Sequence, residues 1–273
     1  AIPKDTTDRN RTSPFAFTGN KFEFRSLGSA VNIACANVML NTAVAEELRQ
    51  FADELEGAED FEKALMALVK REIKAHKRII FNGNGYDESW VAEAEKRGLL
   101  NLRTTPDAIP ELLKKKNIEM LTAHKVYTET ELRSRYEIML ENYCKTVCIE
   151  AQTMSDMARK QILPAVARYA ADVARDAAGK KALDAGISCG YETKLVKKLA
   201  AVTERIDTRV DALDSVTARL KTLSDVTEEA DFIRDELLSR MTELRAAADE
   251  AEILTAESCW PFPTYGDLLF SVK

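Results

Sequence analysis

The sequence predicts a mainly α fold, with a short N-terminal β-hairpin followed by a bundle of long helices. Three observations carry that expectation. Ten glycines and seven prolines are few among 273 residues, and four of those prolines fall before residue 111. That leaves the C-terminal half open to long helices. From about Ala30 apolar residues recur with a helical period, whereas "PFAFT" and "KFEFR" near the start alternate with a period of two.

Residues 14–25 read as a hairpin, with "GN" supplying the tight turn between the alternating runs. The stretch "NIACANVMLNTAVAEELRQFADELEG" carries an apolar stripe and is expected to end as a helix at Gly57. "DFEKALMALVKREIKAHKRIIF" follows as a second amphipathic helix, and "NGNGYDESW" as a turn-rich break. Asp87 caps a short helix, "ESWVAEAEKRG", that stops at Gly98. Thr105 before Pro106 has the order of an N-cap and first helical residue. A connector containing His124 leads to Thr128 and Glu131, which have capping-box spacing.

A very long helix is then expected from about Glu129 towards Ala178, kinked at Pro164, with "AAGKKALDAGISCG" as the loop after it. Beyond Tyr191, Ile206, Val210, Leu213, Val216, Leu220 and Leu223 recur at spacings of three and four, as in a coiled-coil seam. Asp225 with Glu228 opens a last long helix to about Ala251, so two antiparallel helices pack against the 129–178 helix. The proline-bounded aromatic tail "CWPFPTYGDLLF" is expected to dock on the body.

Composition limits the function classes. With 45% hydrophobic and 31% charged residues the chain can bury a sizeable core. A net charge of -6, spread along the chain, gives no sign of nucleic-acid binding, and "KREIKAHKR" reads as a solvated face. No run approaches the ~18 apolar residues of a membrane span. The start, "AIPKDTTDRN", has neither the apolar core of a signal peptide nor an initiator Met, which suggests processing or excision from something longer. Cysteines at 35, 144, 148, 189 and 259 have no framework spacing and read as reduced thiols of a cytoplasmic protein. Cys144 and Cys148 lie one helical turn apart, but His76 and His124 complete no metal motif, and neither histidine is expected in catalysis.

The hairpin alone carries candidate chemistry. Strand alternation sends Phe22 and Phe24 to one face and Lys21, Glu23 and Arg25 to the other. Two readings fit a carboxylate between two cations. One is a surface charge ladder. The other is a polar site in which Glu23 binds a divalent cation and the cations hold anionic groups. Arg9 and Arg11, just upstream, add two guanidinium groups.

The order "NRT…KFEFR" resembles the end of the catalytic domain of glutamine synthetases. The fuller "DRNRTSPFAFTGNKFEFRSLGSAVNIACANVMLNTAVAEEL", with "FNGNGY", "EKRGLLNLRTTPDAIP", "TETELRSRYEIMLENYCKTVCIEAQTM", "KQILPAV" and "WPFPTYGDLLF", resembles the long type III enzymes. These motifs run in order from about residue 8 to the C-terminus. The resemblance implies an ATP-dependent ligase that condenses glutamate and ammonia to glutamine through a γ-glutamyl phosphate, working with Mg²⁺ or Mn²⁺ in a ring-type homo-oligomer.

By position, Glu23 matches the metal-binding Glu of that strand and Arg25 the Arg that binds the glutamate substrate. Arg11 matches the Arg set against the transferring phosphoryl group, and Lys21 falls where relatives carry an Arg near the nucleotide. One departure stands out: the better-known classes carry a further Arg five positions after the one matched by Arg11, and here that position is Ala16.

The resemblance also implies a division of the chain. Residues 1–57 would be the end of the catalytic domain, 58–127 a helical connector, and 128–273 a type III helical bundle with its docked tail. The family's remaining carboxylates, its metal-binding His and its N-terminal β-grasp domain would all precede this sequence. The chain is therefore expected to be the C-terminal part of a longer polypeptide, inactive alone. The alternative is a non-catalytic helical module for oligomerisation or regulation, motivated by the lack of any catalytic constellation after residue 30.

Overall fold

A computed structural model describes residues 15–17, 21–25, 28 and 31–270. Two short strands come first, β1 (Phe15–Phe17) and β2 (Phe22–Phe24). The helices follow as α1 (Ala34–Leu55), α2 (Phe61–Ala75), α3 (Glu88–Lys96), α4 (Thr105–Ala108), α5 (Lys115–Ala123) and α6 (Glu129–Met157). After them come α7 (Leu163–Leu183), α8 (Gly190–Leu220), α9 (Val226–Phe232), α10 (Leu238–Leu254) and α11 (Tyr265–Phe270). The expected mainly α architecture with an N-terminal hairpin is the one observed.

The termini follow capping chemistry. Asp60, Asp87 and Asp225 each accept hydrogen bonds from backbone N–H groups of the turn they open. Thr128 and Glu131 form the full reciprocal box, Thr128 N donating to Glu131 Oε2 at 2.7 Å and Glu131 N to Thr128 Oγ1 at 3.2 Å. Gly57 and Gly98 take positive φ just past helix ends, the conformation that costs a Cβ-bearing residue most.

Several boundaries differ from expectation. The α2 helix ends at Ala75, not near Phe81, because a single 3-10 turn, Lys77–Ile79, intervenes. The cap of α4 is Thr104, whose Oγ1 accepts from Asp107 N at 3.3 Å; Thr105 is already the first helical residue. The connector before Thr128 contains a further helix, α5. Residues 178–183 are helical, so the loop before α8 is shorter than expected. The break in the long helix is a π turn, Ala158–Ile162, between α6 and α7. Pro164 cannot donate to the carbonyl four residues back, that of Lys160, which lies inside this turn. A second π turn, Ile233–Leu237, joins α9 to α10 with no proline to signal it.

The chain divides into two compact units, residues 1–103 with 110–133 and residues 104–109 with 134–273. In the first, α1 contacts α2 and α5. Arg71 grips the Glu54 carboxylate with both Nη atoms at 2.7 Å, tying α2 to α1. His124 Nε2 lies 2.8 Å from Glu46 Oε2, tying α5 to α1. Among the described residues of this unit the buried apolar side chains are Ala16, Leu68, Leu121 and Leu132.

The second unit holds the main core. Its seam is the predicted one: Ile206, Val210 and Leu213 are fully shielded, Val216 and Leu220 nearly so, and Leu223 packs at the margin. Cross-helix pairs fix the antiparallel packing of α8 against α7 and α10. Lys180 pairs with Glu192, and Arg159 with Asp211 and Asp214 at 2.7 Å each. Arg209 pairs with Glu243 and Arg205 with Glu250, both at 2.5 Å. In the tail, Trp260 and Phe262 pack on the core, while Leu268, Leu269 and Phe270 of α11 remain exposed, so docking stops short of the last helix.

Candidate functional site

The strands pair antiparallel with Phe15 opposite Phe24, Ala16 opposite Glu23, and Phe17 opposite Phe22. Alternation then sorts the chemistry as expected. On one face the Phe15 ring stacks on Phe22 with centroids 5.1 Å apart and meets Phe24 edge-on at 5.9 Å. The other face carries Ala16 and Glu23, with Lys21 and Arg25 flanking Glu23 along the strand. Ala16 is 1% exposed and sits directly across from Glu23. A longer residue at this position would enter the space beside the carboxylate, and the alanine methyl brings no charge to it.

Arg25 Nη2 donates to Glu23 Oε2 at 2.9 Å, with both side chains half-buried, and Lys21 is exposed. The hydrogen bond to Glu23 holds the Arg25 guanidinium above its ordinary pKa, against burial. Of the four residues singled out in the hairpin segment, Lys21, Glu23 and Arg25 therefore share one surface. Arg11 lies outside the described residues, as does Arg9.

The 80–87 turn is fixed at both ends. At the start, the Phe81 ring stacks on Trp90 at 4.0 Å, and the Arg97 guanidinium lies 5.9 Å from the first ring centroid and 5.3 Å from the second. Arg97 also donates to the Ile80 carbonyl at 3.1 Å and the Arg78 carbonyl at 3.3 Å. A Cβ at Gly83 would run into the Phe81 ring, so the turn needs glycine at that point. At the far end Asn84 Oδ1 accepts from Tyr86 N at 3.1 Å, and Asp87 caps α3.

The donor chemistry bears on the implied divalent cation. A half-buried carboxylate oxygen of Glu23 is the hard ligand that Mg²⁺ or Mn²⁺ takes. Such ions take about six oxygen ligands, however. Among the described residues no group of three or more His, Cys, Asp or Glu is placed to hold a metal ion. These residues alone do not make a metal site; Glu23 offers one ligand position.

The remaining chemistry-bearing side chains are distributed elsewhere. His76 is exposed beside Glu72, and His124 is engaged with Glu46. Cys144 and Cys189 are buried, Cys148 and Cys259 half-buried, and Cys35 exposed. No helix among the described residues is long and apolar enough to cross a membrane.

Residues 64–181 match the family model described as the glutamine synthetase C-terminal domain. Over 99% of its length it is 37% identical to a glutamine synthetase of Butyrivibrio fibrisolvens. Over 98% it is 35% identical to a type-3 glutamine synthetase of Dictyostelium discoideum and 32% identical to a glutamine synthetase of Bacteroides fragilis. The resemblance drawn from the motifs is borne out. The chain spans about two fifths of these relatives, 39% of the first and 38% of the others. The glutamine synthetase C-terminal domain match starts in α2 and ends in α7. It thus includes Tyr86, Trp90 and Arg97, and the hairpin lies before it.

Proposed function

We propose that this chain contributes one wall of a glutamine synthetase active site, in an enzyme that condenses glutamate and ammonia with ATP through a γ-glutamyl phosphate. The observation that carries the reading is the Glu23–Arg25 pair on one face of the hairpin, in a chain 32–37% identical to glutamine synthetases along nearly its whole length. A divalent cation supplies charge neutralisation to a phosphoryl group in transfer. In this reading Glu23 gives that ion one ligand, and the remaining ligands come from sequence outside this chain. Arg25 binds the glutamate substrate, a task suited to a planar two-pronged donor. Arg11 faces the phosphoryl group, where fixed positive charge favours the transition state, and Lys21 faces the nucleotide. Residues 1–57 form the end of the catalytic domain, 58–127 a helical connector, and 128–273 the helical bundle of a type III enzyme, which assembles as a ring-type homo-oligomer.

The test is kinetic. In the full-length enzyme, Glu23→Ala should abolish turnover and alter metal dependence, and wild-type kinetics in that variant would remove Glu23 from the site. The chain of residues 1–273 alone should form no glutamine from glutamate, ammonia and ATP; measurable product from it would refute the composite site. A second reading, a non-catalytic helical module for assembly, is favoured by the self-contained core of the second unit. It is compatible with the first reading, and a strictly monomeric chain in sedimentation would count against it.

A further inference from the structure

The second unit holds a cleft that no part of the proposed reaction uses. It lies between α6, the π turn at Ala158–Ile162 and α10, with a volume of about 560 Å³. That is the size of a small-molecule site. Met154, Met157 and Met241, three of the chain's seven methionines, line it with Ile162 and Leu244. Methionine has an unbranched, polarisable side chain that adapts to the shape of an apolar guest. The tail supplies one wall: Trp260 and Phe262, both half-buried, meet edge-on with centroids 6.1 Å apart. Residues of the π turn also line the cleft, and π turns recur at functional sites.

The charges on the rim of the cleft are one-sided. Glu150, Asp249 and Glu252 stand there against a single cation, Arg245. Arg245 is committed to Asp249, donating from Nε to Oδ1 at 2.5 Å. Among the described residues, no ion pair engages Glu150 or Glu252. Two carboxylates therefore share the cleft with an aromatic wall, and an entering anion would meet repulsion. A cation gains twice, from the carboxylates and from the ring faces.

We propose that this cleft binds an organic monocation with an apolar body, a hydrophobic amine or quaternary ammonium compound. The apolar part displaces poorly hydrogen-bonded water from the methionine-lined depth. The charged head stays at the rim with Glu150 and Glu252, where it keeps part of its hydration. The cleft is built from residues of the second unit alone, so the inference is independent of the ligase reading.

Three probes that share one apolar body test this in the full-length protein containing this chain: phenylbutylamine, phenylbutanol and phenylbutyrate. In calorimetric titration at neutral pH the amine should bind about tenfold more tightly than the alcohol, and the acid should bind weakest. Tenfold is about what a cation–π contact and one half-exposed ion pair supply together. Combining Glu150→Gln with Glu252→Gln removes both charges at exposed positions, where substitutions seldom disturb the fold. The double variant should bring the amine within about threefold of the alcohol, the remainder being the aromatic contact, and leave the alcohol unchanged. Trp260→Ala should weaken amine and alcohol alike.

No binding of the amine at millimolar concentration would overturn the site. Equal affinities for amine and alcohol in the wild-type protein would overturn the cation preference. Amine binding undiminished in the double variant would put the amine in another place and remove this cleft as its site. The double variant decides this even where Trp260→Ala fails to fold.

Discussion

Helices α1 and α8 are both long, 22 and 31 residues, yet they are held in different ways. Among the described residues, α8 buries ten side chains, five of them the seam residues from Ile206 to Leu220. Of α1 only Thr42 is buried, its Oγ1 donating back to the Val38 carbonyl at 2.7 Å, while Val44 and Leu48 stay exposed. Apolar burial on one stripe is what normally holds a helix of this length in place. The second unit meets that condition within itself. The first depends instead on ion pairs between helices and on the guanidinium–aromatic stack around Arg97. A unit held by polar links, with Phe15, Phe22 and Phe24 about half exposed, also displays the candidate site.

The sharpest way to break this contrast is to truncate one leucine in each unit. Leu213→Ala empties a fully shielded position in α8 and should cost about 2–5 kcal/mol. Leu48→Ala, at a position 60% exposed, should stay within about 0.5 kcal/mol. The two tryptophans, Trp90 in the first unit and Trp260 in the second, allow each to be followed by fluorescence during urea unfolding, with Trp90→Phe and Trp260→Phe variants separating the signals. Equal losses for the two leucine variants would contradict the division.

Thiol chemistry should show the same asymmetry at the next level of effect. Burial in the core of the second unit pushes the Cys144 thiol up to about 11, whereas Cys35 lies exposed in the first turn of α1. Since the thiolate is the reacting form, maleimide at mildly alkaline pH should modify Cys35 long before Cys144 in the native chain. Mass spectrometry of timed quenches reads this directly. Cys144 labelling as fast as Cys35 would show that the core of the second unit opens freely.

A smaller effect concerns polar links inside the well-packed unit. Ser155 is buried and donates to Asp214 Oδ1 at 2.6 Å, in a network completed by Arg159. Burial works against ionisation of Asp214, but the hydrogen bonds from Ser155 and Arg159 outweigh it and keep the carboxyl below its ordinary range. Ser155→Ala should cost about 1 kcal/mol in the Trp260-reported transition. A loss as large as that of Leu213→Ala would mean that polar contacts dominate this unit too.

Most of this contrast is legible in the sequence, for identifiable reasons. The α8 seam is a spacing, and the caps at Asp87, Thr128 and Asp225 are local chemistry, so both survive into three dimensions. Strand alternation likewise puts Lys21, Glu23 and Arg25 on one face from residue order alone. Where adjacent residues offer the same chemistry, the sequence does not choose: Thr104 and Thr105 can both cap, and the tertiary path decides for Thr104. The α5 helix is hard to read because "KKNIEMLTA" is short and opens with lysines at the end where cations are least favourable. The π turn at Ile233–Leu237 has no residue that announces it. The contact of Arg97 with the Ile80 carbonyl is illegible for a deeper reason: it spans 17 positions of chain across an aperiodic turn, and no local pattern encodes it.

The weakest predicted effect tests the polar side of the comparison. Arg49 first, then Gln50 and His124, hold the Glu46 carboxyl far below the usual carboxylate range. A depressed carboxylate adds stability that is fully present above its unfolded pKa of 4.5 and is lost progressively as pH falls towards the folded value. Glu46→Gln removes the charge at every pH. The wild-type chain should therefore melt above the variant at neutral pH, with a gap that is constant down to about pH 5 and closes progressively below pH 4. Arg49 is half exposed, so added salt should narrow the gap as well. The shift should appear in the Trp90 signal and leave the Trp260 signal in place, because Glu46 and its partners all belong to the first unit. A gap that widened on acidification would reverse the sign of the linkage and remove Glu46 as an ionised tie between α1 and α5.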